Sequence, residues 1–469
     1  MPRRWRVAAD VLLVGMTGAT ALLVVRFDAL GPRARLVAVL VAFTTFAALF
    51  LPSVRHRALT PRRIVTVSTV LVTLALVAPP GGSHDLWSYA VYGRLVSVHH
   101  VSAYADLPAA FPRDPFFHLV ARGWRHTASV YGPAFVALSA VGTRLTGSSV
   151  VATRLFFQGV EALALAGAVG IVWRRTRDPV ALAFVALNPA LILVVNGGHN
   201  DVLVGLALLA GTLLLADGRP GLAGLVLAAG ALVKLVLLLP FGALLLWMWR
   251  RGDRRATLVA GVTTGSTVLA GYVVSGGRAA LAPLFHAGAQ HSRSSLWELA
   301  TQWLAPHFAA PRATLFRVEG DLAVLLVGTV ALLIALAESR SERARVPPDP
   351  HTGPIVAGAA ALVFLIAGAF VLPWYSAWSM PLVALVWRSR VAALAVGQAA
   401  LVSIAFAAPV ILGPIFQAYA LDFVPLVLFL ALAYLAWSAA RGRLRLPVGR
   451  SVPRPHRPDP ATHTRMRVT

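Results

Sequence analysis

Long apolar runs alternate with short, mostly basic interruptions along this chain, and the run lengths set the fold class. A helix of about 20 apolar residues crosses a bilayer, and somewhat shorter runs cross with local thinning. The pattern predicts a first span ending near 25, then spans at 36–51, 64–77, 151–173, 180–195, 202–216, 222–233, 235–249, 257–274, 322–336, 355–372, 380–387, 391–407 and 422–439. The expectation is an all-α, polytopic transmembrane helical bundle of about 13 to 14 spans. Two polar stretches, 81–131 and 276–320, interrupt it as long loops. The run 134–145, at about 12 residues, is too short to span and reads as an interfacial or re-entrant helix.

Charge orients the threading. The clusters at Arg3, Arg4 and Arg6, at Arg55, Arg57, Arg62 and Arg63, at Arg174, Arg175 and Arg177, and at Arg250, Arg251, Arg254 and Arg255 all fall on one side of it. So do Arg340, Arg343, Arg345, Arg388 and Arg390, as the positive-inside rule requires of the cytoplasmic face. Both termini are then cytoplasmic and both polar stretches lie outside. The basic N-terminus leads into an apolar run that passes Leu22 without a cleavage site, which predicts an uncleaved first helix. Residues 1–440 form the membrane domain, and the Arg- and Pro-rich stretch 441–469 reads as a disordered cytoplasmic tail attracted to anionic headgroups.

Composition agrees with the pattern. With 58% hydrophobic and 13% charged residues in 469 positions, and a mean hydropathy of +0.74, the chain has more apolar surface than a soluble domain can bury. A formal charge of +24 invites a nucleic-acid reading, but the arginines sit between spans, so the partner is the lipid bilayer and no nucleic acid is called for. There is no cysteine, which excludes disulfides and thiolate metal sites.

The chemistry-bearing residues gather on the outer side, where neither ATP nor a nucleotide sugar is available. A synthetic reaction there needs a substrate that arrives activated, such as a lipid-linked phosphate ester. In the first loop, His84, Asp85, Tyr89 and Arg94 fall on a short amphipathic helix, with Asp85 and Tyr89 four apart on one face. Asp85 is either a general base at the membrane surface or an N-cap. Asn196-Gly197-Gly198-His199-Asn200-Asp201 offers a tight turn with an acceptor, donors and titratable groups. A divalent cation is left open there, but the ligand set is weak and no metal ligand is assigned. Lys234, the only lysine, interrupts two short apolar segments, an arrangement suited to binding a lipid phosphate or to snorkelling. Arg154, Gln158 and Glu161 share one face of a span, where an Arg–Glu pair is the simpler reading and Arg154 is also within reach of a phosphate. Asp10 in the first span reads as structural. His286, His291, Arg293, Trp297 and Glu298 lie in the second loop, while Trp374, Tyr375 and Trp378 follow Pro373; these aromatics are interfacial belts or sugar platforms, depending on whether the loops converge.

Taken in order, Asp85-Leu86-Trp87-Ser88-Tyr89, Tyr131-Gly132-Pro133, Asn188-Pro189, Gly198-His199-Asn200-Asp201, Lys234 with Pro240, and Pro373-Trp374-Tyr375 with Trp378 resemble the actinobacterial polyprenol-phosphate-mannose-dependent alpha-1,6-mannosyltransferases, members of the GT-C membrane glycosyltransferases. The resemblance implies a GT-C-like bundle that transfers mannose from a polyprenyl-phosphate donor to a growing mannan on a lipoglycan acceptor, with inversion, outside the cytoplasmic membrane. It also implies that Asp85 is the base and that Lys234, Arg154, His199 and Arg293 are the available cations for the leaving phosphate. No further carboxylate of that loop stands out beyond Asp106 and Asp114, which weakens a metal-dependent version. The rival reading is a lipid-linked sugar flippase or other transporter, but the chain shows no inverted repeat and its polar residues crowd one aqueous side rather than the midplane.

Overall fold

The computed structural model describes residues 4–287, 290–307, 311–343, 349–407 and 413–444. The stretch expected to be a disordered tail lies, from residue 445 on, outside the described residues, as does the side chain of His286.

Among the described residues every regular element is helical. The chain runs through α1 (Arg4–Arg26), α2 (Pro32–Ala48), α3 (Pro52–Ala58), α4 (Pro61–Val77) and α5 (Asp85–Ser97), then through a long connection to α6 (Pro133–Thr146). Next come α7 (Val150–Thr176), α8 (Pro179–Ala186), α9 (Pro189–Gly197), α10 (Asp201–Ala216), α11 (Pro220–Ala231), α12 (Leu238–Arg251) and α13 (Arg254–Val274). The last part holds α14 (Arg278–Ala287), α15 (Leu296–Leu304), α16 (Arg312–Arg343), α17 (Thr352–Ala367), α18 (Met380–Val383), α19 (Arg390–Ala407), α20 (Pro414–Ala418) and α21 (Val424–Ala440).

Local sequence explains where these helices begin. Proline occupies the first turn of α2, α3, α4, α6, α8, α9 and α11, where its missing N–H costs nothing. Thr60, Ser149, Asp178 and Asn188 each accept an N–H of the turn that follows, as N-cap side chains do. The cap at Asn188, followed by Pro189, splits the run expected as one span at 180–195 into α8 and α9.

By length and composition, seven helical segments suit a membrane among the described residues: α1, α7, α8 with α9, α13, α16, α19, and α21 with the π turn before it. The pair α2 and α3, bent by 95°, makes an eighth if it is taken as one span. The expected total of about 13 to 14 counted shorter runs as well. Of these, α10, α11 and α17 are apolar helices of 16, 12 and 16 residues, below a full crossing. The segment at 380–387 is no span: it is the four-residue α18 followed by a 3-10 turn. The second polar stretch is also shorter than expected, because α14 and α15 fold within it and α16 begins at Arg312.

The segment Pro179–Gly197 is 94% buried and runs through the middle of the bundle, against α4 and α7. By contrast, α13 is 28% buried and leaves Val262 and Leu269 exposed, a face suited to lipid. Asp10 pairs with Arg63 at 2.8 Å between α1 and α4, the structural role expected of it.

One close backbone approach matters for the site. Gly205 on α10 lies against the 3-10 turn Pro373–Trp378, and a methyl built there would overlap the Ala377 carbonyl oxygen and come within 3.2 Å of Pro381 Cγ. Only glycine lets the aromatic turn seat on α10. Gly205→Ala is expected to cost about 1–3 kcal/mol by overpacking, read as a lowered thermal midpoint of the detergent-purified protein. The same change at Gly242, which has nothing within 4 Å of the added carbon, is the control and should leave the midpoint unchanged or raise it.

Candidate active site

Five separate stretches meet at one end of the bundle: the start of α5, Tyr131 ahead of α6, the turn between α9 and α10, the Lys234 break between α11 and α12, and the turn Pro373–Trp378. Four of them line a cavity of about 670 Å³, with Ser83, His84, Asp85, Trp124, Tyr131, Lys234, Gln290, Phe364, Phe370, Trp374, Tyr375 and Trp378 among its walls, and the turn between α9 and α10 packs behind it. The two long loops therefore converge with these turns, and the aromatics after Pro373 face a cavity rather than forming an interfacial belt.

Buried carbonyls draw two of these stretches together. At the end of α4, where the helix has run out of its own N–H groups, Arg154 Nη1 donates to the carbonyls of Val77 and Ala78. Gln158 Nε2 donates to Ala75 O at 3.1 Å and to Asn196 O at 2.6 Å. Asn196 Nδ2 donates to Pro79 O at 3.0 Å, and its Oδ1 accepts the Gly81 N–H at 3.2 Å. The α4–α5 connection is thereby tied to the end of α9. Glu161, next along the same face of α7, accepts the Val202 N–H at 2.8 Å. The expected Arg154–Glu161 pair does not form, because backbone groups claim both side chains.

Asp85 is the first residue of α5, and the N-cap is His84, without a side-chain capping bond. The carboxylate instead stands 3.4 Å from His199 Nδ1, with 15% of its side chain exposed. Gly198, at φ +63°, turns the chain so that His199 reaches that place. The His199 ring stacks on Trp374 with centroids 4.1 Å apart. Asp85 lies outside the spans, and burial by itself would raise its pKa. The adjacent His199 ring, with the charge of Lys234, outweighs burial and holds it below the usual carboxylate value.

Lys234 Nζ contacts Asp201 Oδ1 at 2.5 Å and lies 4.6 Å from the Tyr375 ring centre, 5.4 Å from that of Trp378 and 5.9 Å from that of Tyr131. This is a cation in an aromatic cage. Trp378 Nε1 donates to the same Asp201 oxygen at 2.6 Å. In a 3-10 helix residues three apart eclipse, which stacks Tyr375 on Trp378 at 4.4 Å. Tyr131 reaches the cage because Gly132 N–H bonds Val233 O at 2.9 Å, docking the start of α6 on the Lys234 break.

The remaining expected site residues are placed as follows. His84 lines the cavity, its Nδ1 at 2.9 Å from Leu119 O. Tyr89 is buried behind the cavity, edge-on to Tyr131 at 4.8 Å. Asn200 and Asp201 are 1% and 0% exposed and do not line it. Arg94 is not at the site: it pairs with the buried Asp114 at 2.7 Å, donates to Gly147 O, and so fastens the first loop to α5 and α6. Arg154 is held at the end of α4, as above. His291 and Arg293 line a neighbouring cavity of about 350 Å³ that shares Phe370 and Leu372 with the main one. His291 stands 3.5 Å from Glu319. In the same loop Trp297 donates to Ala367 O at 2.7 Å, and the Glu298 N–H is capped by Ser295.

Sequence reading missed Trp378 as a partner of Asp201, and Gln158 and Asn196 as the ties behind the site. The spacing of Tyr375 and Trp378 after a proline was the signal for the first. For the others there was none, since their partners are backbone groups. Among the described residues no three His, Asp or Glu side chains stand close enough to hold a metal ion. With Asp85 beside His199 and Asp201 taken up by Lys234, the donor set does not fit a divalent cation.

Residues 7–251 match the family described as alpha-(1->6)-mannopyranosyltransferase, N-terminal domain. The chain belongs to this family. Over 198 residues it is 31% identical to alpha-(1->6)-mannopyranosyltransferase A of Mycobacterium tuberculosis, a stretch covering 39% of this chain and 37% of that relative. The match thus spans little more than a third of the relative's length. No solved structure matches. Within the mannopyranosyltransferase family region lie Asp85, Tyr131, His199, Asp201 and Lys234, whereas Trp374, Tyr375 and Trp378 come from beyond it. Both parts of the chain build the cavity.

Removing the Asn196 side chain should loosen the tie between α4 and α9. Asn196→Ala strands the part-buried Gly81 N–H and the Pro79 carbonyl at a cost of about 1–3 kcal/mol. The expected result is a lowered thermal midpoint together with faster protease cutting in the 78–84 connection. Unchanged cutting there would remove Asn196 as the tie.

Proposed function

We propose that this protein is a membrane mannosyltransferase that moves mannose from a polyprenyl-phosphate donor to the hydroxyl of a growing alpha-1,6-mannan on a lipoglycan. The observation that carries the reading is a carboxylate, Asp85, and a caged ammonium, Lys234, on the walls of one cavity, in a chain of this family. Asp85 accepts the proton of the acceptor hydroxyl as that oxygen bonds the anomeric carbon. The carbon–oxygen bond to phosphate breaks, its electron pair leaves with the polyprenyl phosphate, and the configuration inverts. Lys234 offers positive charge to the leaving phosphate, where electrostatic stabilisation of developing charge counts most. Trp374, Tyr375 and Trp378, which line the cavity, offer the flat apolar surfaces that sugar rings pack against. The cavity opens on the outer, periplasmic side of the cytoplasmic membrane, with both termini in the cytoplasm, as the arginine threading orients it. The phosphate is thus read on Lys234 rather than on Arg94 or Arg154, whose guanidinium groups are engaged elsewhere.

Membranes containing the wild type should transfer label from polyprenyl-phosphate mannose to an alpha-1,6-mannan acceptor. Asp85→Asn at equal expression should lose at least about 100-fold of that rate, the usual scale of a proton acceptor. Full turnover by Asp85→Asn would remove it as the base. Wild-type transport of a lipid-linked sugar without transfer would favour the flippase. The pH profile supplies a second check. A carboxylate held below its usual pKa stays ionised, so transfer falls only as the pH drops through that low value. His199→Ala removes the largest support of the charged form, and the acid limb of kcat/KM should move to higher pH; a limb that stays in place would separate His199 from Asp85.

A further inference from the structure

We propose that Asp201 is a positioning residue, which fixes the Lys234 ammonium at the cavity wall with donors to spare for an anionic group; on the reading above, that group is the donor phosphate. Asp201 is fully buried and does not line the main cavity, whereas Lys234 and Trp378 do. A single oxygen of Asp201 receives both of them, Lys234 Nζ at 2.5 Å and Trp378 Nε1 at 2.6 Å. The indole N–H thus sets the carboxylate and the carboxylate sets the ammonium. An ammonium has three N–H donors, and Asp201 takes one. The rings of Tyr131, Tyr375 and Trp378 surround the charge without accepting a conventional hydrogen bond, so two donors remain for a ligand.

A lysine stem with four carbons samples many rotamers unless something holds its end. Here the anchor comes from the first residue of α10, whose next backbone N–H is in turn held by Glu161 of α7. Stability alone does not account for the arrangement, since a buried ion pair is commonly matched or bettered by apolar side chains of similar volume. Its place on the wall that also carries Asp85 does account for it. The acidic groups near the ammonium are Asp85 on α5, Glu161 on α7 and Asp201 on α10; its aromatic neighbours are Tyr131, Tyr375 and Trp378.

Because Lys234 is the single lysine, full-length protein in detergent made with lysine labelled at the ε-carbon yields one lysine side-chain signal. In the wild type, ring currents of the cage displace that signal. Asp201→Asn should return it toward the free-lysine position and lower mannosyl transfer about 10- to 100-fold, the scale of a buried polar group left without its partner. The double variant Lys234→Met with Asp201→Asn leaves no buried charge alone. It should extract and melt like the wild type and transfer no less than Lys234→Met by itself. A lysine signal unmoved by Asp201→Asn, or single-variant losses that multiply in the double variant, overturns the role. If the wild type transfers from no polyprenyl-phosphate sugar while Asp201→Asn still moves the lysine signal, the positioning stands and the assigned donor falls.

Discussion

A charged ammonium inside an apolar bundle costs several kcal/mol unless a counter-charge comes with it, and the architecture around Lys234 follows from supplying one. The counter-charge is Asp201 at the start of α10, so α10 must begin beside the break between α11 and α12. The same carboxylate holds Trp378, so the turn Pro373–Trp378 must lie on α10, and Gly205 leaves the room for it. Tyr131 closes the cage only because the backbone ahead of α6 bonds the carbonyls of Leu232 and Val233. One polar contact thus gathers stretches more than 200 residues apart in sequence.

A second constraint acts beside the first. The last carbonyls of a helix have no donors within it and take them from elsewhere in the protein. The end of α4 finds them in Arg154 and Gln158 of α7 and in Asn196 of α9. That network, rather than any contact of its own, carries Asp85 to His199. The site is therefore a by-product of two polar demands at one end of the bundle, one ionic and one among backbone groups.

How much of this was legible in the chain depends on the kind of interaction. Helical class followed from run length, and the helix starts are marked by proline and capping residues, which act within a few positions. The island around Asp85, the His199–Asp201 turn and the Lys234 break were visible because such residues are out of place in an apolar chain. Span count was the weaker reading, since α10, α11 and α17 are as apolar as spans but shorter, and 380–387 is too short to be one. Arg94 and Arg154 were misjudged for a physical reason: an arginine that binds phosphate and one that binds a carboxylate or a carbonyl look the same until its partner, Asp114 or Ala78, is known. Trp378 was legible as an aromatic after Pro373 but not as a partner of Asp201, because that role comes from an indole N–H meeting a residue 177 positions away.

A carboxylate held below its usual pKa is a weak base, which sits awkwardly with abstracting a proton from a sugar hydroxyl at neutral pH. The chemistry of the proposed transfer removes the conflict. Glycosyl transfer passes through an oxocarbenium-like transition state, in which the leaving group has largely departed before the new bond is complete. The attacking oxygen acquires positive character as that bond forms, and its proton becomes acidic late. A poor base that is fully ionised then serves better than a strong base that spends part of its time protonated. It also places a negative charge near the cationic sugar carbon, while Lys234 meets the negative charge growing on phosphate. His199 and Asp201 hold these two charges apart, on opposite partners, so the cavity is polarised before substrate enters and need not reorganise as the bond breaks.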